Sequence, residues 1–220
     1  MMKERLQIII KDQSLILFPQ KALFWEEQKI LVVSDVHFGK AGHFRKHGIA
    51  VPDTVNANNI QRLDHLIKHL SPQKILFLGD LFHSEMNAEV EQFKEWRKSH
   101  ANIEMILTIG NHDILTRFQY EKMGLQCVNQ YEMKPFVFMH DEYDSTSSEY
   151  YPIAGHIHPA VKLSTKGRQR MYIPCFYFGK THCMLPAFGS FTGNYRIQPA
   201  QNDLVYGVVE ERVIDISPLI

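Results

Sequence analysis

An apolar run, Ile30 to Val33, leads directly into Asp35 and His37 in the stretch VVSDVHFGKAGHFRKHG (32–48). In an extended chain, residues i and i+2 lie on one face. That spacing predicts a carboxylate and an imidazole converging on one point, and a shared divalent ion is the chemistry such a pair most often serves. One Asp-x-His alone is weak evidence, but the chain supplies partners. The run ILFLGD ends in Asp80, ILTIGNHD in Asn111, His112 and Asp113, FVFMH in His140, and IAGHIH in His156 and His158. Taken singly, each is more often a turn former, a cap or a satisfied core polar group; Gly79–Asp80 and Gly110–Asn111 in particular suit tight turns. Five apolar runs that all end this way are a different matter. In open α/β sheets, sites gather beyond the carboxyl ends of strands, where Asp35, His37, Asp80, Asn111, His140, His156 and His158 would meet.

The donor types decide the metal class. A set of Asp, Asn and His without Cys favours Mn²⁺, Fe²⁺ or Zn²⁺ over a thiolate site. Seven ligands are too many for one tetrahedral ion and suit two ions sharing a carboxylate, roughly 3.5–4 Å apart. Asp80 is the expected bridge.

The elements that must position these residues are legible from periodicity. KILVVSD (29–35), KILFLGD (74–80) and IEMILTIG (103–110) read as buried strands. Between them, residues 54–70 place Ile60, Leu63, Leu66, Ile67 and Leu70 on one helical face, and residues 87–99 align Val90, Phe93 and Trp96. Such alternation implies βαβ units and a largely parallel sheet. From about Phe136 the texture changes to strands joined by turns, with Thr165–Lys166–Gly167 a hairpin turn. The expected fold is therefore α/β, with a second, more antiparallel sheet packed on the first within one domain spanning 1–220.

Composition sets the bounds. The chain has 220 residues, 45% apolar and 22% charged, which is ordinary for a globular protein. No apolar run approaches membrane length, and MMKERLQIIIKDQ is too short in its apolar part for a signal-peptide core, so no membrane association and a cytoplasmic location are expected. The three cysteines form no C-x-x-C pair and read as reduced and buried. Lys+Arg and Asp+Glu both number 24, which argues against a protein that coats nucleic acid by bulk charge. Charge distribution says more. Between Tyr150 and Asn202 there is no acid, where about six are expected at the chain average, yet Lys162, Lys166, Arg168, Arg170, Lys180 and Arg196 are present. Val36 to Pro52 is also acid-free and carries Lys40, Arg45 and Lys46. Two readings stand: acids are avoided near a site crowded with carboxylates, or these windows form a positive surface for an anionic substrate.

The ordered blocks D35-x-H37, G79-D80, G110-N111-H112-D113, H140 and G155-H156-x-H158 resemble the signature of the calcineurin-like metallophosphoesterases. That resemblance implies two packed mixed β-sheets flanked by helices, a four-layer sandwich. It implies that Asp35, His37, Asp80 and His158 hold one metal and Asp80, Asn111, His140 and His156 the other, with His112 the catalytic imidazole facing the leaving group. Over almost the whole chain, SDVHFGKAGHFRKHGIAVP, LGDLFHSE, GHIHPAV and LPAFGSFTG are similar to the bacterial branch of ligase-associated DNA damage response phosphoesterases. Members of that branch are described as manganese-dependent nucleases or phosphodiesterases encoded beside a DNA ligase, a helicase and an exonuclease. The implied chemistry is phosphoester hydrolysis by hydroxide formed between two ions, most simply Mn²⁺, with phosphodiesters, chiefly DNA, as substrate. The competing readings are a hydrolase of small phosphorylated metabolites or cyclic nucleotides and, from another class, a non-catalytic scaffold. One departure from the wider superfamily is Leu81–Phe82–His83, where many relatives carry another acid. Candidate substrate contacts are Lys40, His43, Arg45, His83 and the hairpin cations Lys166, Arg168 and Arg170. His65 and His69, spaced i, i+4, read as a helix's polar face.

Overall fold

A computed structural model describes residues 4–40, 54–83, 88–141, 149–164, 170–190 and 192–219. Two mixed sheets carry the fold. The first has seven strands in sequence order: β1 (Leu6–Ile10), β2 (Gln13–Phe18), β3 (Ala22–Trp25), β4 (Ile30–Ser34), β5 (Lys74–Leu78), β6 (Glu104–Thr108) and β7 (Gln126–Val128). Strands β1 to β4 form an antiparallel meander, and β4 to β7 run parallel. The parallel strands are linked by helices α1 (Thr54–Leu70), α2 (Ala88–Ser99) and α3 (Arg117–Lys122). The expected βαβ half is therefore present. The meander ahead of it was not foreseen, because its β1–β2 turn is Lys11–Asp12 at φ 52° and 61° rather than the Asn-Gly that advertises such hairpins.

Both faces of this sheet are covered, which is why its strands read as unbroken apolar runs. Leu31, Val33, Ile75, Phe77, Met105 and Leu107 pack toward the helices, with Leu63, Leu66, Val90, Phe93 and Trp96. Their neighbours Ile30, Val32, Leu76, Leu78 and Ile106 point the other way, onto Phe136, Phe138, Ile153, Phe176 and Leu185 of the second sheet.

The second sheet has nine strands: β8 (Gln130–Met133), β9 (Phe136–Met139), β10 (Tyr151–Ala154), β11 (Pro159–Ser164), β12 (Arg170–Phe178), β13 (Cys183–Met184), β14 (Tyr195–Arg196), β15 (Leu204–Val209) and β16 (Arg212–Asp215). Most pairs are antiparallel, but β9–β10, β10–β13 and β11–β14 are parallel. Among the described residues the α-helices lie against the first sheet. The outer side of the second is closed by Val161, Cys175, Val205 and Ile216 and by the 3₁₀ turn Ser217–Leu219. Strands β11 and β12 form the expected hairpin, with Ser164 opposite Arg170; its turn lies outside the described residues. All three cysteines are free and buried. No helix among the described residues is long and apolar enough to cross a membrane.

Candidate metal centre

The carboxyl ends of β4, β5, β6, β9 and β10 release their chains at one edge of the two sheets. Pairing between β4 and β5 does not stop at the last strand residues. His37 N donates to Asp80 O (2.9 Å), Phe38 N to Leu81 O (2.8 Å) and His83 N to Phe38 O (2.9 Å), so the two loops run side by side and deliver Asp35, His37 and Asp80 together. Aromatic packing anchors them from below. The Phe93 ring of α2 lies 5.5 Å from Phe38 and 5.2 Å from Phe82.

Asp35 and His37 converge, but not by the pleat of an extended strand. Asp35 (φ 52°), His37 (φ 51°), Asp80 (φ 51°), His156 (φ 61°) and His158 (φ 52°) all occupy the left-handed region, which is disfavoured for side chains with a Cβ. The strands end one or two residues earlier, and the i, i+2 pairs are brought together by left-handed turns.

All seven sequence-selected ligand residues meet here. Asp35 Oδ1 is 3.2 Å from His158 Nε2, and both atoms are buried without a hydrogen bond aligned on them. His37 Nε2 stands 3.8 Å from Asp80 Oδ2, and the other oxygen, Asp80 Oδ1, 3.5 Å from His140 Nε2. His140 Nε2 is also 2.9 Å from Asn111 Oδ1 and 3.0 Å from His156 Nδ1. Two groups, Asp35–His37–His158 and Asp35–Asp80–His140, each bring their donor atoms within 4.8 Å of one another. Backbone carbonyls orient two of the rings. His140 Nδ1 lies 3.1 Å from Leu78 O and His158 Nδ1 3.0 Å from Gly193 O. An N–H donated there leaves the Nε2 lone pair facing the centre. Buried donor atoms gathered this closely fit a divalent cation.

The two carboxylates are tied differently. Asp35 Oδ2 accepts from His156 N (3.0 Å), which leaves Oδ1 to the centre. Asp80 has each oxygen turned to a different imidazole. Burial tends to raise the Asp35 pKa, but His158, His140 and His37 outweigh it and hold the carboxyl below its ordinary value. Burial raises Asp80, with the Asp35 charge adding to it against His140 and the His112 amide. His37 is pushed down to about 3, chiefly by burial, and so is a neutral ligand-type imidazole. Burial lowers His158, but Asp35 beside it raises it further.

Close approach explains three glycines. A Cβ on Gly79 would lie 2.1 Å from His140 Nδ1, one on Gly110 2.4 Å from Asp80 Oδ1, and one on Gly155 2.6 Å from Asp35 Oδ2.

Two supports had no role assigned from the sequence. Asp113, the last residue of GNHD, accepts from Asp80 N (2.8 Å), Leu81 N (2.9 Å), Gly110 N (2.9 Å) and Tyr120 Oη (3.2 Å). It pins the β5 loop to the β6 loop, and burial pushes its pKa up to about 6. On α1, Asn59 Nδ2 donates to Val36 O (3.2 Å), while Asn59 Oδ1 accepts from Arg62 (2.8 Å) and Ser190 Oγ (3.2 Å). Arg62 donates to Phe188 O, and Gly189 N to Asp35 O (3.0 Å). This helix thereby holds the backbone after Asp35 directly, through Asn59, and the 188–190 segment packed on it, through Arg62 and Asn59. The signal for Asp113 was its place in the motif; Asn59 and Arg62 left none, being polar residues on an amphipathic helix.

His112 is exposed. Its backbone N donates to Asp80 Oδ1 (2.9 Å), and its ring lies 5.7 Å from His37 and 4.7 Å from His83. His83 is thus beside the centre, 5.2 Å from the His37 ring. Lys40 is half-buried near it: burial lowers its pKa, against the attraction of Asp80 and Asp35. Position 170 opens β12, about 12 residues from His158 in sequence. His43, Arg45, Lys166 and Arg168 lie outside the described residues. His65 and His69 pack ring to ring at 4.2 Å and are no part of this centre.

The profile of the calcineurin-like phosphoesterase family matches residues 28–205. Among solved structures, the chain is similar to Pseudomonas putida nuclease MPE, with 29% identity, a TM-score of 0.81, and coverage of 96% of this chain and 100% of that one. A weaker likeness, at 14% identity and a TM-score of 0.43, links it to YfcE, a phosphoesterase from E. coli, over 84% of this chain and 96% of that one. No curated protein matches the sequence.

Proposed function

We propose that this chain, which belongs to the calcineurin-like phosphoesterase family and is a metal-dependent phosphoesterase, is a phosphodiesterase acting on nucleic acid, chiefly DNA, in cytoplasmic DNA repair. The observation that carries the nucleic-acid reading is the likeness, over nearly the full length of both chains, to a nuclease. The acid-free window between Tyr150 and Asn202 supports it independently.

In this reading Asp35, His37, Asp80 and His158 would hold one divalent ion, and Asp80, Asn111, His140 and His156 the second. Asp80 would be shared between them, since its Oδ2 faces His37 and its Oδ1, which also accepts the His112 amide, faces His140. Bound there, a pair of Mn²⁺ ions (Zn²⁺ or Fe²⁺ also suit these donors) would supply an activated water and neutralise charge on the phosphate. The remaining roles belong to the protein. His112 has its backbone fixed to Asp80 and its imidazole exposed, and donates a proton to the departing alkoxide. His83 and Lys40 line the substrate's approach, with His43, Arg45, Lys166, Arg168 and Arg170 as further phosphate contacts. A DNA ligase, a helicase and an exonuclease of a repair cassette are the proposed partners; copurification from cells tests whether they bind.

The decisive experiment is a Mn²⁺-dependent activity panel comparing a phosphomonoester, a cyclic nucleotide, and single-stranded, nicked and duplex DNA. DNA cleavage that is lost in Asp80→Ala supports the proposal. Activity confined to the monoester or the cyclic nucleotide would transfer it to small metabolites, and no hydrolysis of any substrate would leave the scaffold reading.

A further inference from the structure

Strand β11 starts at Pro159, the residue after His158, and so grows directly out of the metal centre. Strand β14 joins it there: Tyr195 N donates to His158 O (3.0 Å), and Arg196 pairs with Ala160. On the other side of β11, Lys162 stands opposite Tyr172 and Ser164 opposite Arg170. Residues directly opposite in a ladder share a face, and i, i+2 positions along a strand share it too. Val161 and Leu163 face the small core with Cys175 and Val205. Positions 160, 162, 172 and 196, with position 170 in the same register, therefore lie on the opposite face. Arg196 is exposed, Lys162 half-buried and Tyr172 50% exposed. Neither Lys162 nor Arg196 meets a carboxylate among the described residues, and the sequence offers none between Tyr150 and Asn202.

Resting on the nucleic-acid reading above, we propose that this face of the β14–β11–β12 sheet is the track on which the substrate strand leaves the metal centre. Arg196 and Lys162 contact successive flanking phosphates, and Tyr172 offers its ring to a base. Length decides what reaches it. At ~3.3 Å per residue, the Arg196 row lies about 7 Å and Lys162 about 13 Å along β11 from His158. A small diester held at the metals ends short of Lys162, whereas a polymer passes both cations. An aromatic ring beside a row of cations is how strands are held without sequence readout.

The test uses the full chain carrying Lys162→Gln and Arg196→Gln together, with Tyr172→Ala separately. As a charge-matched control, Lys98→Gln and Lys134→Gln remove two exposed lysines outside the track. Oligonucleotide binding is measured by fluorescence anisotropy over a salt series. Hydrolysis with Mn²⁺ is compared for bis-nitrophenyl phosphate, a dinucleotide and a long oligonucleotide. The track predicts that the double variant's slope of log affinity against log salt is shallower by about 0.7–0.9 per cation removed. It also predicts at least a ten-fold fall in the oligonucleotide-to-small-diester rate ratio, with the dinucleotide following the small diester. Tyr172→Ala should weaken oligonucleotide binding about five-fold or more. An unchanged slope, or equal losses in the control, would overturn the track while leaving the nuclease reading intact. If the unsubstituted protein hydrolyses the small diester but neither binds nor cuts the oligonucleotide, both readings fall.

Discussion

Replacing Gly79 by alanine adds one methyl group where the centre has no room for it. The new Cβ would sit 2.1 Å from His140 Nδ1 and 2.4 Å from its Cγ, and ordinary contact begins near 3.4 Å. The ring has to retreat by more than about 1 Å. That withdraws Nδ1 from Leu78 O (3.1 Å) and Nε2 from Asn111 Oδ1 (2.9 Å) and His156 Nδ1 (3.0 Å). The backbone adds its own penalty, because Gly79 sits at φ 71°, where alanine costs about 1–2 kcal/mol. With about 0.5–1.5 kcal/mol for the lost hydrogen bond to Leu78 O, the loss is about 1.5–3.5 kcal/mol, or roughly 3–14 °C in Tm for a chain of this size. At the site, a displacement of ~1 Å costs on the order of 10²-fold in rate. Melting curves read the first effect, Mn²⁺-dependent hydrolysis reads the second, and equilibrium dialysis with metal analysis shows which ion is affected. We expect the ion on the Asn111–His140–His156 side to weaken at least ten-fold while the Asp35–His37–His158 side still binds. Gly193→Ala, whose Cβ would meet nothing within 4 Å, is the stability control. Two ions bound at unchanged affinity, with Tm within a degree or so of the parent, would refute the role given to His140.

Asp80→Ala should remove both ions and Asp35→Ala mainly weaken one; metal analysis finding at most one ion per chain in a fully active preparation would end the two-ion reading. His112→Ala should keep its metals yet lose roughly 10²–10⁴-fold in rate, with a smaller loss for a good leaving group such as nitrophenolate. Equal losses on good and poor leaving groups would leave it only an electrostatic role. Asn59→Ala removes the donor to Val36 O, and calorimetric titration should then show weaker binding to the Asp35–His37–His158 side with the other side unchanged. Uniform weakening of both would make the α1 clamp a matter of general stability.

How much of this was legible depends on which physical signal each part leaves in sequence. The βαβ half announced itself because β4, β5 and β6 are buried on both faces and α1 and α2 on one, which writes unbroken apolar runs and a 3.6-residue period into the chain. The ligands were legible because each follows such a run. The β1–β3 meander escaped notice, since nothing in Lys11–Asp12 marks a tight hairpin. The six-residue α3 is too short to show periodicity, although its Thr116–Gln119 capping box was there to be read. Asp113 was visible as a letter of GNHD but not as a support, because its acceptors are spent on backbone amides of another loop, and no sequence pattern records those. The Asn59–Arg62 clamp joins residues more than 120 positions apart, a separation that local pattern cannot express.

The mode of convergence carries a further consequence. Had Asp35 and His37 been strand residues, as their spacing first implied, they would have been held by the sheet at no conformational cost. Instead Asp35, His37, Asp80, His156 and His158 stand in left-handed backbone, each at a cost of about 1–2 kcal/mol. Strain of that size persists only where the surroundings over-determine it. Here the restraints are visible: the His37 amide on Asp80 O, the Asp80 amide on Asp113, the His156 amide on Asp35. Two of the five strained residues, His37 and His156, are thus held through another of the five, and Asp80 through Asp113. A bound ion would add to these restraints in the folded chain and offer nothing comparable to the unfolded one, so metal affinity and folding stability are linked. The ligand loops are therefore where the chain should gain most protection from hydrogen exchange on adding Mn²⁺, and the β1–β3 meander where it should gain least.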